Sequence, residues 1–574
     1  MKRNTCRNLF IALPLAATLG ILAGCAAVTT DATTTASSAS ISVSADVTAA
    51  EVLADNEAAF EGETSYDAAS AVSISLDDPQ ATDGVTVDGD TVTITAAGTY
   101  VLSGSLDGQV VVDADGLDVT LVLDGANISS DSTAAIAATA VENLSVILAD
   151  GSTNTLSDTS TYADDAEVNA AFYSAGDTQI SGTGSLAVTG NGNDGITSKD
   201  GLTISGGTIT VSAVDDGIRG KDSLVISGGT LTVDAGGDGL KSDNEDDLDR
   251  GYIAISGGTL AVTSAGDALS AQTDLVITGG TLDLVAGGGS GATVADDASA
   301  KALKGLTYVV VEGGDVTVDS ADDAVHSNGA VHLSGGTLAL AAGDDAVHAD
   351  TELLIDGGTL DISASYEGLE STVITLAGGD VSIVSSDDGV NGSDGSGESM
   401  SSVAGVSVTI SGGTLTVDAG GDGLDSNGDL TITGGATIVN GPTDSGNGAL
   451  DANGTFTVSG GTLAAAGSSG MAVSPSADSD QVSVSATFDT LPAGTVVSIV
   501  DADGAAVETF TATKEFSSLV YSSADIESGT EYTFTVDGAS IATATGGEAL
   551  AGGMGGGGGM PGGGGQGGGP GDDR

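Results

Sequence analysis

An acid, a small residue, an apolar residue and a variable residue recur in that order along this chain. The acids are Asp194, Asp216, Asp238, Asp267, Asp323, Asp345, Glu367, Asp388 and Asp422, and several are preceded by a second one, at Asp215, Asp322, Asp344 and Asp387. On stacked strands, about 4.8 Å apart, such carboxylates repel. Two arrangements relieve the repulsion. Each carboxylate can accept backbone N–H bonds from a turn, or neighbours can share a hard cation such as Ca²⁺, which takes about six to eight oxygen ligands. Asp-Gly is also a turn dipeptide. Most of these acids are therefore expected to form turns and a minority to hold Ca²⁺. The calcium candidates are Asp194, Asp215, Asp216, Asp238, Asp322, Asp323, Asp344, Asp345, Asp387 and Asp388. The loop Ser242-Asp-Asn-Glu-Asp-Asp-Leu-Asp249 is another, although it lacks the glycine of an EF-hand loop.

The variable position gives a second column: Thr197, Arg219, Lys241, Ser270, His326, His348, Glu370, Asn391 and Asp425. Side chains alternate along a strand, so this column should face outward where the apolar residue before it faces in. The long insertion between Leu284 and Leu306 is expected to break it. The column runs from basic through imidazole to acid and amide. Seven of the nine Lys and Arg after Cys25 lie between Lys199 and Lys304. Such cations suit the carboxylates or hydroxyls of an acidic sugar, or they neutralise the neighbouring Asp residues. The candidate ligand contacts are Lys199, Arg219, Lys221, Lys241, His326, His348, Glu370 and Asn391. Two imidazoles and a carboxylate on successive coils, His326, His348 and Glu370, are also a possible transition-metal set, hydrogen bonding to a ligand being the alternative.

The elements that position these columns are strands. Gly-Gly pairs follow short apolar alternations with a modal step of 22 residues, as in Leu202-Thr-Ile-Ser-Gly-Gly-Thr-Ile-Thr-Val211. A fixed step with strands and Gly turns predicts an all-β parallel solenoid of about 22 residues per three-sided coil. Calcium-binding nonapeptide rolls need a nine-residue period and propellers a longer one, so both are excluded. Residues 71–170 read as the first coils and N-terminal cap, 171–478 as the repeats, and 479–545, with its concentrated aromatics, as a small antiparallel C-terminal cap.

Residues 1–24 read as a signal peptide ending in Leu22-Ala23-Gly24-Cys25, a lipobox in which Cys25 is lipidated. Residues 25–70 read as an Ala/Ser/Thr-rich tether and 546–574 as a disordered Gly-rich tail. The expected location is secreted and lipid-anchored, on the extracytoplasmic face of the membrane. With 81 Asp and Glu against 12 Lys and Arg, nucleic acid is excluded as a partner, and membrane contact is expected through the lipid alone. The oligomeric state is left open.

The succession Gly98-Thr-Tyr-Val-Leu-Ser-Gly104, Asp194-Gly-Ile196, Gly237-Asp-Gly-Leu-Lys-Ser-Asp-Asn244, Gly251-Tyr-Ile253, Asp344-Asp-Ala-Val-His-Ala-Asp350, Tyr366-Glu-Gly-Leu-Glu370 and Asp387-Asp-Gly-Val-Asn391 resembles the bacterial carbohydrate-binding β-helix family, whose relatives bind cellulose and acidic sugars such as polygalacturonate. The resemblance implies a right-handed parallel β-helix with bound calcium, similar in shape to pectate lyases. Lyases of that shape use a Lys or Arg base beside Ca²⁺, a role open to Lys221 or Lys241, with Arg219 steadying the intermediate. The expectation is a cell-surface lipoprotein that binds an acidic or plant-wall polysaccharide with calcium support. A calcium-dependent lyase and a purely structural stalk are the alternatives. Without Trp, polar and ionic sugar contacts are favoured over an aromatic platform.

Overall fold

The computed structural model describes residues 43–550, apart from 164, 296–297 and 397–400. The expected signal peptide, Cys25, the tether as far as residue 42 and the tail from residue 551 lie outside the described residues.

Alternation of apolar and polar residues produces strands, and one short helix is present among the described residues. Each repeat strand pairs in parallel with the third strand on. Asp194–Ser198 lies beside Ile218–Gly220, Gly201–Ile204 beside Ser223–Ile226, and Thr208–Ala213 beside Thr230–Ala235. The result is a solenoid-like all-β fold with three stacks of strands around one apolar core. The column Ile196, Ile218, Leu240, Leu269, Leu303, Val325, Val347, Leu369, Val390 and Leu424 runs through it with every member fully buried. Each such side chain contributes roughly 1.5–3 kcal/mol by leaving water.

The Gly-Gly pair has a separate cause at each position. A Cβ on Gly228 would sit 2.8 Å from the carbonyl oxygen of Ser205 on the preceding coil, and Gly229 holds φ +95°. The first glycine is set by close approach, the second by the left-handed backbone.

Two features differ from the expectation. The insertion after Leu284 leaves the register intact: Leu269 pairs with Leu303 and Leu303 with Val325, so the excess residues loop out of the coil. The segment from residue 43 to 63, expected as flexible tether, instead lies along the middle stack of strands. Ala49 N–H donates to Glu312 Oε1 (2.7 Å), Tyr252 Oη to the carbonyl of Glu57 (2.7 Å), Thr203 Oγ1 to that of Phe60 (2.9 Å), and Glu63 N–H to Ser145 Oγ (2.9 Å). Its helix, Ala49–Asp55, opens on a Thr48/Glu51 capping box and buries Ala49 and Val52 against Val276 and Val310. The physical reason is on the receiving strands. Tyr308-Val-Val-Val311 is apolar on both faces and needs cover.

At the other end, Ser483–Leu491 and Thr462–Gly467 both pair antiparallel with Phe516–Ser522. A separate four-stranded antiparallel sheet, Val496–Val500, Ala506–Thr511, Glu531–Val536 and Ala539–Thr545, packs a second core around Phe510, Phe516, Tyr521, Tyr532 and Phe534.

Candidate functional site

The acid column is a hydrogen-bonded ladder. In six of its members Oδ1 accepts the backbone N–H of the residue at the same position one coil on. Asp216 accepts from Asp238 (2.9 Å), Asp238 from Asp267 (2.9 Å), Asp267 from Lys301 (2.9 Å), Asp323 from Asp345 (3.1 Å), Asp345 from Glu367 (3.3 Å), and Asp388 from Asp422 (2.6 Å). Each carboxylate thereby joins two coils, and its negative charge is partly met by an amide dipole.

The second oxygen faces the variable column. Thr197 donates to Asp194 Oδ2 (2.9 Å) and Ser270 to Asp267 Oδ2 (3.2 Å), and His326 Nδ1 lies 2.8 Å from Asp323 Oδ2, each pair three residues apart. Lys241 bridges Asp216 (2.9 Å) and Asp238 (3.0 Å). Lys304 reaches Asp267 (2.7 Å), Lys301 holds both Asp322 (2.9 Å) and Asp323 (2.8 Å), and Arg219 pairs with Asp243 (2.8 Å). Electrostatics follow geometry. Burial alone would raise Asp267, yet Lys304, with Ser299 and the Lys301 N–H, holds it below the usual carboxylate range. Burial would likewise lower the Lys241 ammonium, but Asp238 and Asp216 drive it upward.

His348 sits at the turning point. Its ring stacks on His326, with centroids 5.0 Å apart. Its Nδ1 lies 2.9 Å from Glu370 Oε2 and 3.3 Å from Asp345 Oδ2, and its Nε2 3.1 Å from Asp350 Oδ1. Against the effect of burial, these three carboxylates push the imidazole up to about 12.

Further along, the pattern fails. The residue three after Asp388 is Asn391, whose Nδ2 donates to Glu367 Oε2 (2.8 Å) while its Oδ1, buried, has no partner. The residue three after Asp422 is another acid, Asp425. Asp422, Asp425 and Asp451 bring carboxylate oxygens within 4.8 Å of one another, and no Lys, Arg or His ion pair is formed by them among the described residues. Burial, then Asp422, pushes Asp388 up to about 8; burial, then Asp422 and Asp451, pushes Asp425 up to about 7. Burial, then Asp345, pushes Glu367 up to about 8.

The variable column is continuous in the structure. Thr197, Arg219, Lys241, Ser270, Lys304, His326, His348, Glu370, Asn391 and Asp425 pair in sequence. Most are half-buried rather than fully outward, and Thr197 and Asn391 are buried. Lys199 and Lys221 fall in the adjoining turn, not in the column, and both are half-buried. Lys199 lies 6.0 Å from the Tyr173 ring, and burial, then Arg219, lowers it. Asp215 is exposed, Asp387 half-buried, and Asp344 groups with Asp322 and Asp323. In the 242–249 loop, Asn244 Oδ1 accepts the N–H groups of Asp246 and Asp247, and Asp243 serves Arg219. Lys301, Lys304 and Asp451 also stand in the columns, although the acid-first pattern does not select them. The signal for the first two was Ala302-Leu303, the small–apolar step with Lys at the acid position. For Asp451 it was Leu450, bridged to Leu424.

A carbohydrate-binding domain-containing protein of Acetivibrio thermocellus is 41% identical over 137 residues, which is 23% of this chain and 48% of that protein. The chain thus spans about half the length of this curated relative. A solved structure described as the polysaccharide lyase-like protein from C. thermocellum, gadolinium derivative, is 31% identical, covers 46% of this chain and 95% of its own, and has a TM-score of 0.37. Residues 88–346, which carry the ladder from Asp194 to Asp345, match the family model described as carbohydrate-binding domain-containing protein.

Proposed function

We propose that this chain binds carbohydrate, an acidic or plant-wall polysaccharide, along the variable column, with calcium supporting the fold. The observation that carries the reading is the coincidence of the carbohydrate-binding family match, residues 88–346, with the ion-pair lattice of Arg219, Lys241, Lys301 and Lys304. A sugar hydroxyl both donates and accepts. A surface of alternating cation and carboxylate offers both functions at neighbouring points. The pairs keep a face to solvent, Lys241 with 27% of its side chain exposed.

Calcium belongs where the cations run out. Asp422, Asp425 and Asp451 form an all-oxygen set of the kind Ca²⁺ takes. In the same reading Cys25 carries the lipid, the coils wind right-handed, and the antiparallel strands from 483 to 545 close the C-terminal end. Binding without turnover is favoured, because a general base must be unprotonated and Lys241 is held as an ion-pair partner, as is Arg219, while Lys221 stands in the adjoining turn rather than in the column.

The test is a glycan-array screen of the mature chain with Ca²⁺ and with chelator, alongside absorbance of unsaturated product from polygalacturonate. Binding without product supports the reading. Product formation replaces it with a lyase, and no binding to any glycan overturns it.

A further inference from the structure

We infer a divalent transition-metal site built from His348 Nδ1, Glu370 Oε2 and Asp345 Oδ2, separate from the all-oxygen calcium set. The three donor atoms lie within 4.8 Å of one another, and Nδ1 stands 2.9 Å from Glu370 and 3.3 Å from Asp345. An ion bound at the usual 2.0–2.2 Å to nitrogen and oxygen sets neighbouring donors about 3.0–3.5 Å apart. The distances from Nδ1 are near that spacing. An imidazole Nδ1 carries at most one proton, yet two carboxylates converge on it, which leaves a place for one cation of higher charge.

The surroundings fix each donor. His348 Nε2 lies 3.1 Å from Asp350 Oδ1, and Asp350 in turn accepts from Asn328 Nδ2 (3.1 Å). That is the carboxylate–histidine arrangement which orients a metal-bound imidazole with Nδ1 toward the ion. Asp345, only 8% exposed, is anchored through Oδ1 by the Glu367 N–H, so Oδ2 points to the site. The His326 ring covers one face of His348 at 5.0 Å. His348 and Glu370 keep 23% and 19% of their side chains exposed, which leaves open positions for water or an oxygen of a bound saccharide. A nitrogen donor with two carboxylates selects Zn²⁺ or Co²⁺ over Ca²⁺, which prefers oxygen alone.

The experiment titrates the mature chain, produced without a histidine tag, with Zn²⁺ in millimolar Ca²⁺, using a competing chromophoric chelator. Co²⁺ is then substituted and its visible absorption recorded. One saturable Zn²⁺ per chain is expected. His348→Ala and Glu370→Gln should each weaken it at least tenfold and abolish the Co²⁺ bands. Asp350→Asn should weaken it about 10–100-fold, and Asp234→Asn, exposed and outside both columns, should leave it within twofold. Circular dichroism of each variant checks the fold, and Glu370→Gln, isosteric, serves if His348→Ala does not fold. No saturable Zn²⁺ site in Ca²⁺, or wild-type affinity in both His348→Ala and Glu370→Gln, overturns the site. Glycan binding in Ca²⁺ without Zn²⁺ is scored separately, so failure here leaves the carbohydrate reading standing.

Discussion

The coils from Asp216 to His326 and those from Glu367 to Asp451 share one register, with an acid at the first position in all but the Lys301 coil, but differ in what stands three residues later. In the first stretch Lys, Ser or His meets the second oxygen, Lys304 and Lys301 add charge, and Asp267 and Asp323 are held below the usual carboxylate range against burial. In the second, Asn391 turns to Glu367, Asp425 adds another negative charge, and burial with mutual repulsion drives Asp388 and Asp425 to about 8 and 7. The ladder is thus indifferent to charge balance, and the balance is set coil by coil from outside the backbone. One stretch supplies its own cations. In the proposed reading the other takes them from solution.

The sharpest way to break this comparison is to remove a built-in cation. Lys304→Met leaves the buried Asp267 carboxylate without its ammonium, and stability should fall by about 3–5 kcal/mol in urea denaturation. A loss under about 1 kcal/mol would mean that these lysines do not neutralise the ladder.

The acidic stretch should respond to added cations instead. Raising Ca²⁺ to about a hundred times its dissociation constant should stabilise the chain by about 2.7 kcal/mol relative to chelator, read as a shift of several degrees in melting temperature. Asp425→Asn should remove most of that shift while stabilising the chelated protein, since it deletes one of three crowded charges. Equal Ca²⁺ shifts in wild type and variant would place the ion elsewhere.

A buried acid with a neutral partner gives a third case. Asp274 accepts from Asn56 Nδ2 of the docked segment (2.8 Å), and burial pushes it up to about 6. Its folded value lies above the ordinary unfolded one near 3.9. Ionisation therefore opposes folding above pH 6, and protonation relieves the penalty as pH falls through 6 toward 4. The gain in urea-denaturation stability between pH 7.5 and pH 5 should be smaller in Asp274→Asn than in wild type by about 1.4 kcal/mol. An equal gain in both would show that Asp274 does not oppose folding.

The strand stacks and both columns were legible in the sequence, because a 22-residue step with alternating Val, Ile and Leu admits few other folds. The i to i+3 pairing of Asp with Thr, Lys, Ser or His was also present as spacing, but spacing does not say that one carboxylate oxygen is used by the backbone and the other by a side chain. Two things were hidden. A Lys at the acid position, Lys301, concealed a coil whose small and apolar residues kept the pattern. The docked segment was read as tether because its composition is polar and its seven-residue helix is too short to show a period. Its capping box and the unbroken Tyr308-Val-Val-Val311 run were the available signals.

The central claim is tested most directly by isothermal titration of the mature chain with polygalacturonate oligomers, once in millimolar Ca²⁺ and once in chelator. Saturable binding in Ca²⁺ that weakens at least tenfold in chelator, and that Arg219→Ala with Lys241→Ala reduces while Asp234→Ala, exposed on another strand stack, does not, is the predicted result. Equal losses from both variants, or no heat of binding in Ca²⁺ at any concentration, would contradict a carbohydrate site on this column.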